Sequence, residues 1–214
     1  MLEKIGVPYY EKLSQPNEVF LDCLRQRKAA RGAVTAAEIG VGIGATAQQA
    51  MSLLKGKDVY YLFDYQDTAI PLCEELKLCF PHGADVRAVG NSRCTADSYV
   101  WPLSNLCLGD ALFDAVLLDG AHDLTVDLAA AALLTQLLRP DGVLVVDDVQ
   151  LTAGDVLRHN PRYADKWEGR YAPDQLEIGQ MGRLCQVFLD RHPQLLRIPC
   201  EEPDIAVYQK LPQK

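Results

Sequence analysis

The sequence has no long apolar run and no excess of positive charge. Its longest uninterrupted apolar stretch covers residues 128–134, far short of the ~18 residues that a membrane-spanning helix needs. The first residues show no basic leader followed by an apolar segment, so no secretory signal is predicted. The formal net charge of −8 argues against nucleic-acid binding, which depends on neutralising phosphates. It also gives no support for an anionic membrane as a partner.

The sequence also lacks any Cys-x-x-Cys pair. Its seven cysteines are odd in number and scattered along the chain: Cys23, Cys73, Cys79, Cys94, Cys107, Cys185 and Cys200. Scattered cysteines of this kind are typical of reduced thiols in a cytoplasmic protein, which is the location we predict. No cysteine and histidine have the spacing of zinc ligands, so a zinc site is not expected.

Internal repeats, low-complexity tracts and linkers are absent as well. The chain has 214 residues, of which 49% are apolar and 23% charged, and this composition is typical of one globular domain. We therefore predict a single domain over residues 1–214. Within it, residues 1–31 form an N-terminal arm and helix, and residues 151–178 form a lid or insertion.

Apolar strands alternate with helices through most of the chain. Strands are predicted at residues 34–41, 58–64, 85–89, 113–119 and 143–147. Helices are predicted at residues 17–31, 45–55, 68–80, 95–108 (kinked or broken by Pro102), 124–138 and 180–191. The segment 139–142, Arg-Pro-Asp-Gly, has the chemistry of a turn.

Continuous apolar strands that alternate with helices indicate a parallel sheet covered on both faces. Two further short strands, 195–198 and 205–209, are close enough in sequence to form an antiparallel hairpin at the sheet edge. The predicted fold is therefore α/β and Rossmann-like: a doubly wound, mostly parallel seven-stranded sheet with a C-terminal antiparallel hairpin.

A glycine cluster stands between the first strand and the helix that follows it. Gly40, Gly42 and Gly44 occupy the position where open parallel sheets bind ligands, and glycine allows a ligand to approach the backbone. The stretch also satisfies a dinucleotide pattern, but two acids favour another ligand. Glu38 precedes the loop and would repel a pyrophosphate. Asp64 ends the second strand, where a carboxylate can accept hydrogen bonds from ribose hydroxyls.

These residues resemble the cofactor site of class I S-adenosylmethionine (SAM) methyltransferases. The stretches 116–122 (Val-Leu-Leu-Asp-Gly-Ala-His) and 138–148, which ends in Asp147-Asp148, are similar to the small-molecule O-methyltransferases, a branch that includes catechol-type and macrocin- or mycinamicin-type sugar enzymes. The resemblance covers residues 34–149. It implies that SAM is the cofactor and that its binding residues are Glu38, Gly40, Gly42, Gly44, Asp64, Tyr65, Asn91, Ser92 and Asp119.

Three carboxylates are expected at one edge of the sheet. Strands four and five of a doubly wound sheet are neighbours, about 4.8 Å apart, so their ends bring Asp119 beside Asp147 and Asp148. Carboxylates this close repel one another, and a proton or a cation relieves the repulsion. Oxygen ligands at an open edge suit Mg²⁺, with Ca²⁺ or Mn²⁺ as alternatives. The resemblance implies the same metal position.

His122 follows Asp119 by three residues, and the resembling enzymes use a lysine or histidine there as the base. Its ordinary pKa near 6.5 suits removal of a proton from a hydroxyl. Three structural interpretations stay open: Asp119 only ends a strand, Asp147 and Asp148 only cap a turn, and His122 belongs to a structural loop whose helix is capped by Asp123. An Asp119–His122 pair is also compatible with base catalysis without a metal.

The predicted reaction is methyl transfer from SAM to a hydroxyl of a small molecule: a sugar, polyketide or phenol. The alternatives are an NAD(P)-dependent oxidoreductase and a non-catalytic SAM-binding protein. Aromatic and basic residues of the segment 151–178 either orient the acceptor or form a surface or subunit contact: His159, Arg162, Tyr163, Trp167, Arg170 and Tyr171. Tyr9 and Tyr10 either close the pocket or contact a neighbouring subunit, and the sequence leaves open whether the protein forms a homo-oligomer. Tyr99 and Trp101 either pack in the fold or line the adenine side of the site, and packing is preferred.

Overall fold

The structure, a computed structural model, describes residues 1–93, 97–159, 169 and 171–212. Its strands are β1 (Thr35–Ile39), β2 (Val59–Tyr65), β3 (Asp85–Asn91), β4 (Phe113–Leu118), β5 (Leu138–Val146), β6 (Leu195–Ile198) and β7 (Ala206–Lys210). They form one sheet in the order β3-β2-β1-β4-β5-β7-β6. Strand β7 runs antiparallel to both of its neighbours, whereas β1 to β5 pair in parallel. The predicted mostly parallel sheet with a C-terminal hairpin is confirmed.

Helices cover both faces of this sheet. The helices of the described residues are α1 (Glu18–Arg31), α2 (Ala45–Leu53), α3 (Gln66–Cys79), α4 (Val100–Leu106), α5 (Leu124–Leu137), α6 (Ala153–His159), α7 (Pro173–Leu176) and α8 (Gln180–Val187). Apolar residues of α1, α2 and α3 pack on one face of the sheet, and those of α4, α5 and α8 pack on the other. Because both faces are covered, the strands are continuously apolar rather than alternating.

The segment 139–142 does not form the predicted turn. Strand β5 continues through it, and the pairing of β4 with β5 shifts register between Phe113 and Ala115. Asp141 has a positive φ of 64°, and a side chain on Gly142 would lie 2.9 Å from the carbonyl oxygens of Arg139 and Phe113. The turn-forming residues thus produce an irregularity inside a strand, as a β-bulge does.

The predicted helix 95–108 is shorter than expected, since α4 begins at Val100; residues 94–96 lie outside the described part. Pro102 does not break α4, because it lies in the first turn, where a backbone N–H has no intrahelical acceptor. Tyr99 is buried as expected, but Trp101 is 65% exposed, so its predicted packing role is wrong.

Two further predictions from the sequence concern membrane-spanning helices and disulfide bonds. Among the described helices, none combines the length and the apolar character needed to cross a membrane. The six cysteines within the described residues are all free thiols, in agreement with the absence of a disulfide framework in the sequence.

Candidate functional site

The order of the strands reverses between β1 and β4, and the glycine loop lies at this point. The N–H of Gly40 donates to the carbonyl of Phe63 at 2.8 Å, and the N–H of Asp119 donates to the carbonyl of Ile39 at 2.9 Å. Gly40 has φ +83°, and a Cβ on it would lie 1.9 Å from the carbonyl oxygen of Asp119. The loop therefore passes directly against the chain that leaves β4, which only glycine permits.

The other two loop glycines have different surroundings. Gly42 has φ +49°, and a Cβ on it would meet no atom of the described residues within 4 Å, so its backbone is open to a ligand in the cleft that it lines. Gly44 precedes α2 with φ +94°, and a Cβ there would lie 2.5 Å from the side chain of Leu72 on α3. One glycine thus leaves space for a ligand, and the other permits close packing.

Glu38 is a buried acid at the end of β1, with 3% of its surface exposed. The hydroxyl of Tyr60 donates to its Oε2 at 2.8 Å. Burial raises the pKa of Glu38 well above its ordinary value, the Tyr60 hydrogen bond lowers it, and the charges of Asp119 and Asp64 raise it further. Glu38 is one of the residues that line the cleft beside the glycine loop.

Asp64 is attached to the glycine loop by one hydrogen bond and to its own strand end by another. Its Oδ2 accepts from the N–H of Val41 at 3.2 Å, and its Oδ1 accepts from the N–H of Tyr65 at 2.6 Å. Burial raises its pKa, and these two hydrogen bonds oppose the shift. The guanidinium of Arg93 covers the ring of Tyr65 at 4.5 Å. Each oxygen of Asp64 keeps a lone pair for a further donor.

Asn91 and Ser92 lie beside Asp64 at the neighbouring strand end. Asn91 of β3 is paired with Tyr65 of β2, and its Oδ1 accepts from the N–H of Ser92 at 3.1 Å. A side chain on Gly90 would lie 2.1 Å from the carbonyl oxygen of Asp64. The predicted nucleoside-binding residues thus lie along adjoining strand ends.

Asp119, His122 and Asp148 form a cluster at the ends of β4 and β5. His122 Nε2 lies 3.5 Å from Asp119 Oδ1 and 3.5 Å from Asp148 Oδ2, and the three potential ligand atoms lie within 4.8 Å of one another. Burial raises the pKa of Asp119 well above its ordinary value, and the charges of Asp147 and Asp148 raise it further. The pKa of Asp148 is also raised by burial, and His122 opposes that shift.

Two members of this cluster have left-handed backbone conformations. His122 has φ 53° and Asp148 has φ 54°, which is uncommon for residues other than glycine. Such strain persists where the surroundings enforce it, and it concentrates at functional sites. Among the described residues, the buried Nδ1 of His122 has no hydrogen-bond partner, and Nε2 is the nitrogen that faces the carboxylates.

Asp147, the third predicted metal ligand, makes different contacts. Its Oδ2 accepts from the side-chain amide of Asn17 at 2.8 Å, and its Oδ1 accepts from the N–H of Asp148 at 2.9 Å. The structure therefore brings together Asp119, Asp148 and the predicted base His122, while Asp147 lines the same cleft and is held from the side of α1. The role of Asn17 was missed because only its position before a helix was visible in the sequence.

The loop that carries His122 is anchored by residues that sequence reasoning also missed. Tyr99 accepts a hydrogen bond from the N–H of Ala121 at 2.8 Å and donates to the buried Asp127. Asp127 also accepts from the N–H of Asp123 at 2.9 Å, and Asp123 caps α5 as predicted. The sequence signal for this anchor was a pair of acids, Asp123 and Asp127, spaced four residues apart at the start of a helix. The third member, Tyr99, is distant in the sequence and could not be assigned to them.

A cleft of about 860 Å³ connects the glycine loop with the Asp119–His122–Asp148 cluster. Its lining includes Glu38, Gly42, Asp119, His122, Asp147, Asp148 and residues of the N-terminal arm such as Leu13 and Pro16. Asp64 does not belong to this lining. Of the predicted lid, Leu151 lines the cleft and the Tyr171 hydroxyl donates to Asp123 Oδ2 at 2.9 Å. Arg162, Tyr163, Trp167 and Arg170 lie outside the described residues, as does the side chain of His159.

No protein-family model matches the sequence, and no curated protein is significantly similar to it. Solved structures share its fold. A protein of Klebsiella pneumoniae assigned to the O-methyltransferases has a TM-score of 0.64 at 13% identity, over 98% of this chain and 86% of that one. The O-methyltransferase TomG of Streptomyces achromogenes, solved with SAM, has a TM-score of 0.60 at 18% identity, over 99% of this chain and 89% of that one.

The N-methyltransferase NodS of Bradyrhizobium japonicum is also similar, with a TM-score of 0.52 at 15% identity, over 96% of this chain and 99% of that one. The chain therefore has the Rossmann-like fold of these methyltransferases. Because that fold accommodates different acceptor atoms, the reaction has to be argued from the residues of the site.

Proposed function

We propose that this protein transfers a methyl group from SAM to a hydroxyl group of a small molecule, assisted by a divalent cation. The observation that carries the proposal is the convergence of two features on one cleft: the open glycine loop after β1, and the Asp119–His122–Asp148 cluster at the ends of β4 and β5. The first suits a cofactor, and the second suits deprotonation of an acceptor.

The surroundings of the loop suit SAM. Gly42 leaves the loop backbone open, and Asp64 has lone pairs for the ribose hydroxyls. The carboxyl groups of Glu38, Asp119 and Asp148 favour a sulfonium cation over an anionic pyrophosphate. The oxidoreductase alternative is therefore not favoured. That TomG binds SAM on the same fold supports the assignment.

The residues present also fit a divalent cation. Two carboxylates and an imidazole offer ligand atoms within 4.8 Å of one another. Burial is the main cause of the raised pKa of Asp119, and the charges of Asp147 and Asp148 add a repulsion that a cation would relieve. Asp119 and Asp148 of this cluster, with Asp147 from the lining of the same cleft as the third carboxylate, would hold the ion and leave His122 Nε2 for the proton. Mg²⁺ is the first choice among hard cations. A bound cation would supply a lower pKa for the acceptor hydroxyl.

His122 is the proposed base. Its Nε2 faces Asp119 and Asp148 at 3.5 Å, so the imidazolium that forms on proton uptake lies between two carboxylates. In the reaction the acceptor oxygen forms a bond to the methyl carbon, the carbon–sulfur bond breaks, and its electron pair stays on sulfur. The hydroxyl proton passes to Nε2. Donor and acceptor need only be aligned in line, which the cleft does by holding both.

Sugar, polyketide and phenol hydroxyls are the proposed acceptors, and a sugar or polyketide hydroxyl is preferred. The preference depends on the Asp119-Gly-Ala-His122 and Asp147-Asp148 stretches, which resemble those of the sugar enzymes more than those of catechol-type enzymes. The cleft is also lined by polar side chains such as Glu18, Thr46 and Glu202, which are compatible with a hydroxylated acceptor.

Two variants test the proposed division of labour. Asp64→Ala should abolish SAM binding, while Asp147→Ala should retain SAM binding and lose methyl transfer. Transfer of labelled methyl from SAM to a panel of hydroxylated sugars and phenols, with and without Mg²⁺, provides the assay. Loss of SAM affinity in Asp147→Ala with the fold intact would contradict the assignment, and SAM binding without transfer to any acceptor would favour a non-catalytic SAM-binding protein.

A further inference from the structure

Asn17 connects three elements around the cleft. It is 8% exposed and stands before α1, where its Oδ1 accepts from the N–H of Phe20 at 2.8 Å. Its backbone N–H donates to Thr46 Oγ1 at 3.0 Å, in the first turn of α2. Its side-chain amide donates to Asp147 Oδ2 at 2.8 Å. One residue therefore joins the start of α1, the helix after the glycine loop, and the acidic end of β5.

The contact with Asp147 continues to the strained residue beside it. The second oxygen of Asp147 accepts from the N–H of Asp148 at 2.9 Å, so both oxygens of Asp147 are held and its carboxylate has one orientation. Asp148 has φ 54°, and this left-handed conformation persists only when surrounding contacts enforce it. The two hydrogen bonds, from Asn17 to Asp147 and from the Asp148 N–H to Asp147, supply such a contact because they hold the backbone amide of Asp148.

We propose that Asn17 is a positioning residue: its side-chain amide orients Asp147 and, through Asp147, the strained Asp148 that faces His122. The structural part stands on the hydrogen bonds alone, and its catalytic consequence rests on the proposed methyl transfer. Asn17 touches neither cofactor nor acceptor in this proposal. It acts by fixing Asp147 and Asp148, the carboxylates that are proposed to hold the cation.

Capping and positioning use different atoms of the Asn17 side chain, so variants can separate them. Asn, Asp and Ser are about equally good N-caps, and all three keep the backbone N–H that donates to Thr46. Asn17→Ser retains a cap oxygen but loses the donor to Asp147. Asn17→Asp retains a strong cap and places a second carboxylate against Asp147. If capping were the only role, both variants would behave like the natural protein.

The expected results follow from loss of one hydrogen bond to a partly buried carboxylate, which is about a tenfold effect. In Asn17→Ser, the amide proton of Asp148 should exchange about tenfold faster, while that of Phe20 keeps its rate. The kcat of methyl transfer should fall about tenfold, while the KM for SAM changes by less than about twofold. Asn17→Asp should show larger changes in the same direction because it adds like-charge repulsion.

The measurement is amide exchange by NMR on the full chain, together with SAM titration and steady-state kinetics. Unchanged exchange at Asp148 in Asn17→Ser overturns the proposal, and so does an equal acceleration at Phe20, which would indicate a lost cap. If Asn17→Ser does not fold, Asn17→Asp decides by the same criteria. Failure of the natural protein to bind SAM would refute the proposed function while leaving the exchange result valid.

Discussion

Substitution of Gly40 by alanine should destabilise the protein much more than the same substitution at Gly42. Both residues have positive φ, which costs a residue with a Cβ about 1–2 kcal/mol. At Gly40 the new Cβ would also lie 1.9 Å from the carbonyl oxygen of Asp119, whereas at Gly42 it would meet no atom of the described part of the chain within 4 Å. Relief of the clash at Gly40 requires movement of a loop that is hydrogen-bonded to Phe63.

Loss of that backbone hydrogen bond adds about 1 kcal/mol, so Gly40→Ala should lower the free energy of unfolding by about 3 kcal/mol and Gly42→Ala by about 1 kcal/mol. Urea unfolding of both variants measures the difference. Gly42→Ala should nevertheless weaken SAM binding, because its methyl group points into the space proposed for the ligand. Equal destabilisation of the two variants would refute the claim that the loop is pressed against the chain after β4.

Burial raises the pKa of Glu38 above its ordinary value of about 4.3, so ionisation disfavours the folded state. The natural protein should lose stability relative to Glu38→Gln as pH rises from about 4 through the raised pKa, and urea unfolding at about pH 5 and about pH 8 tests this; a constant difference would contradict it. Asp148→Gly should relieve the left-handed conformation and raise stability by about 1 kcal/mol, while labelled methyl transfer is lost; retained transfer would exclude Asp148 from the site. Lys210 donates to the carbonyls of Thr135 and Leu138 at 2.7 and 2.8 Å, so Lys210→Met should cost about 1–3 kcal/mol in thermal unfolding without changing SAM affinity.

The sequence was sufficient to predict the sheet because its strands carry a strong local pattern. Continuous apolar runs and a glycine loop can be recognised from residues that are adjacent in the sequence. The structure confirms both. The segment 139–142 shows the limit of this reasoning. Its Pro-Asp-Gly sequence is typical of turns, yet it lies inside β5, because the pairing of β4 with β5 shifts register next to Phe113 and accommodates the extra residues. Tertiary pairing decided between two uses of one local pattern.

The candidate site was predicted to the level of strand ends but not of contacts. Adjacent parallel strands were enough to place Asp119 near Asp147 and Asp148. His122 and Asp148 have left-handed backbone conformations, and these decide which carboxylates face His122. The residue types alone do not predict such conformations. The contact of Asn17 with Asp147 spans 130 positions, so it follows from the packing of α1 against the sheet.

Calorimetric titration of the purified protein with SAM, with NAD⁺ as a parallel control and Mg²⁺ present, tests the central claim most directly. We expect saturable binding of SAM at one site, no binding of NAD⁺, and loss of SAM binding in Asp64→Ala. A folded protein that binds no SAM, or binds NAD⁺ instead, would contradict the proposed methyl transfer and leave only the fold.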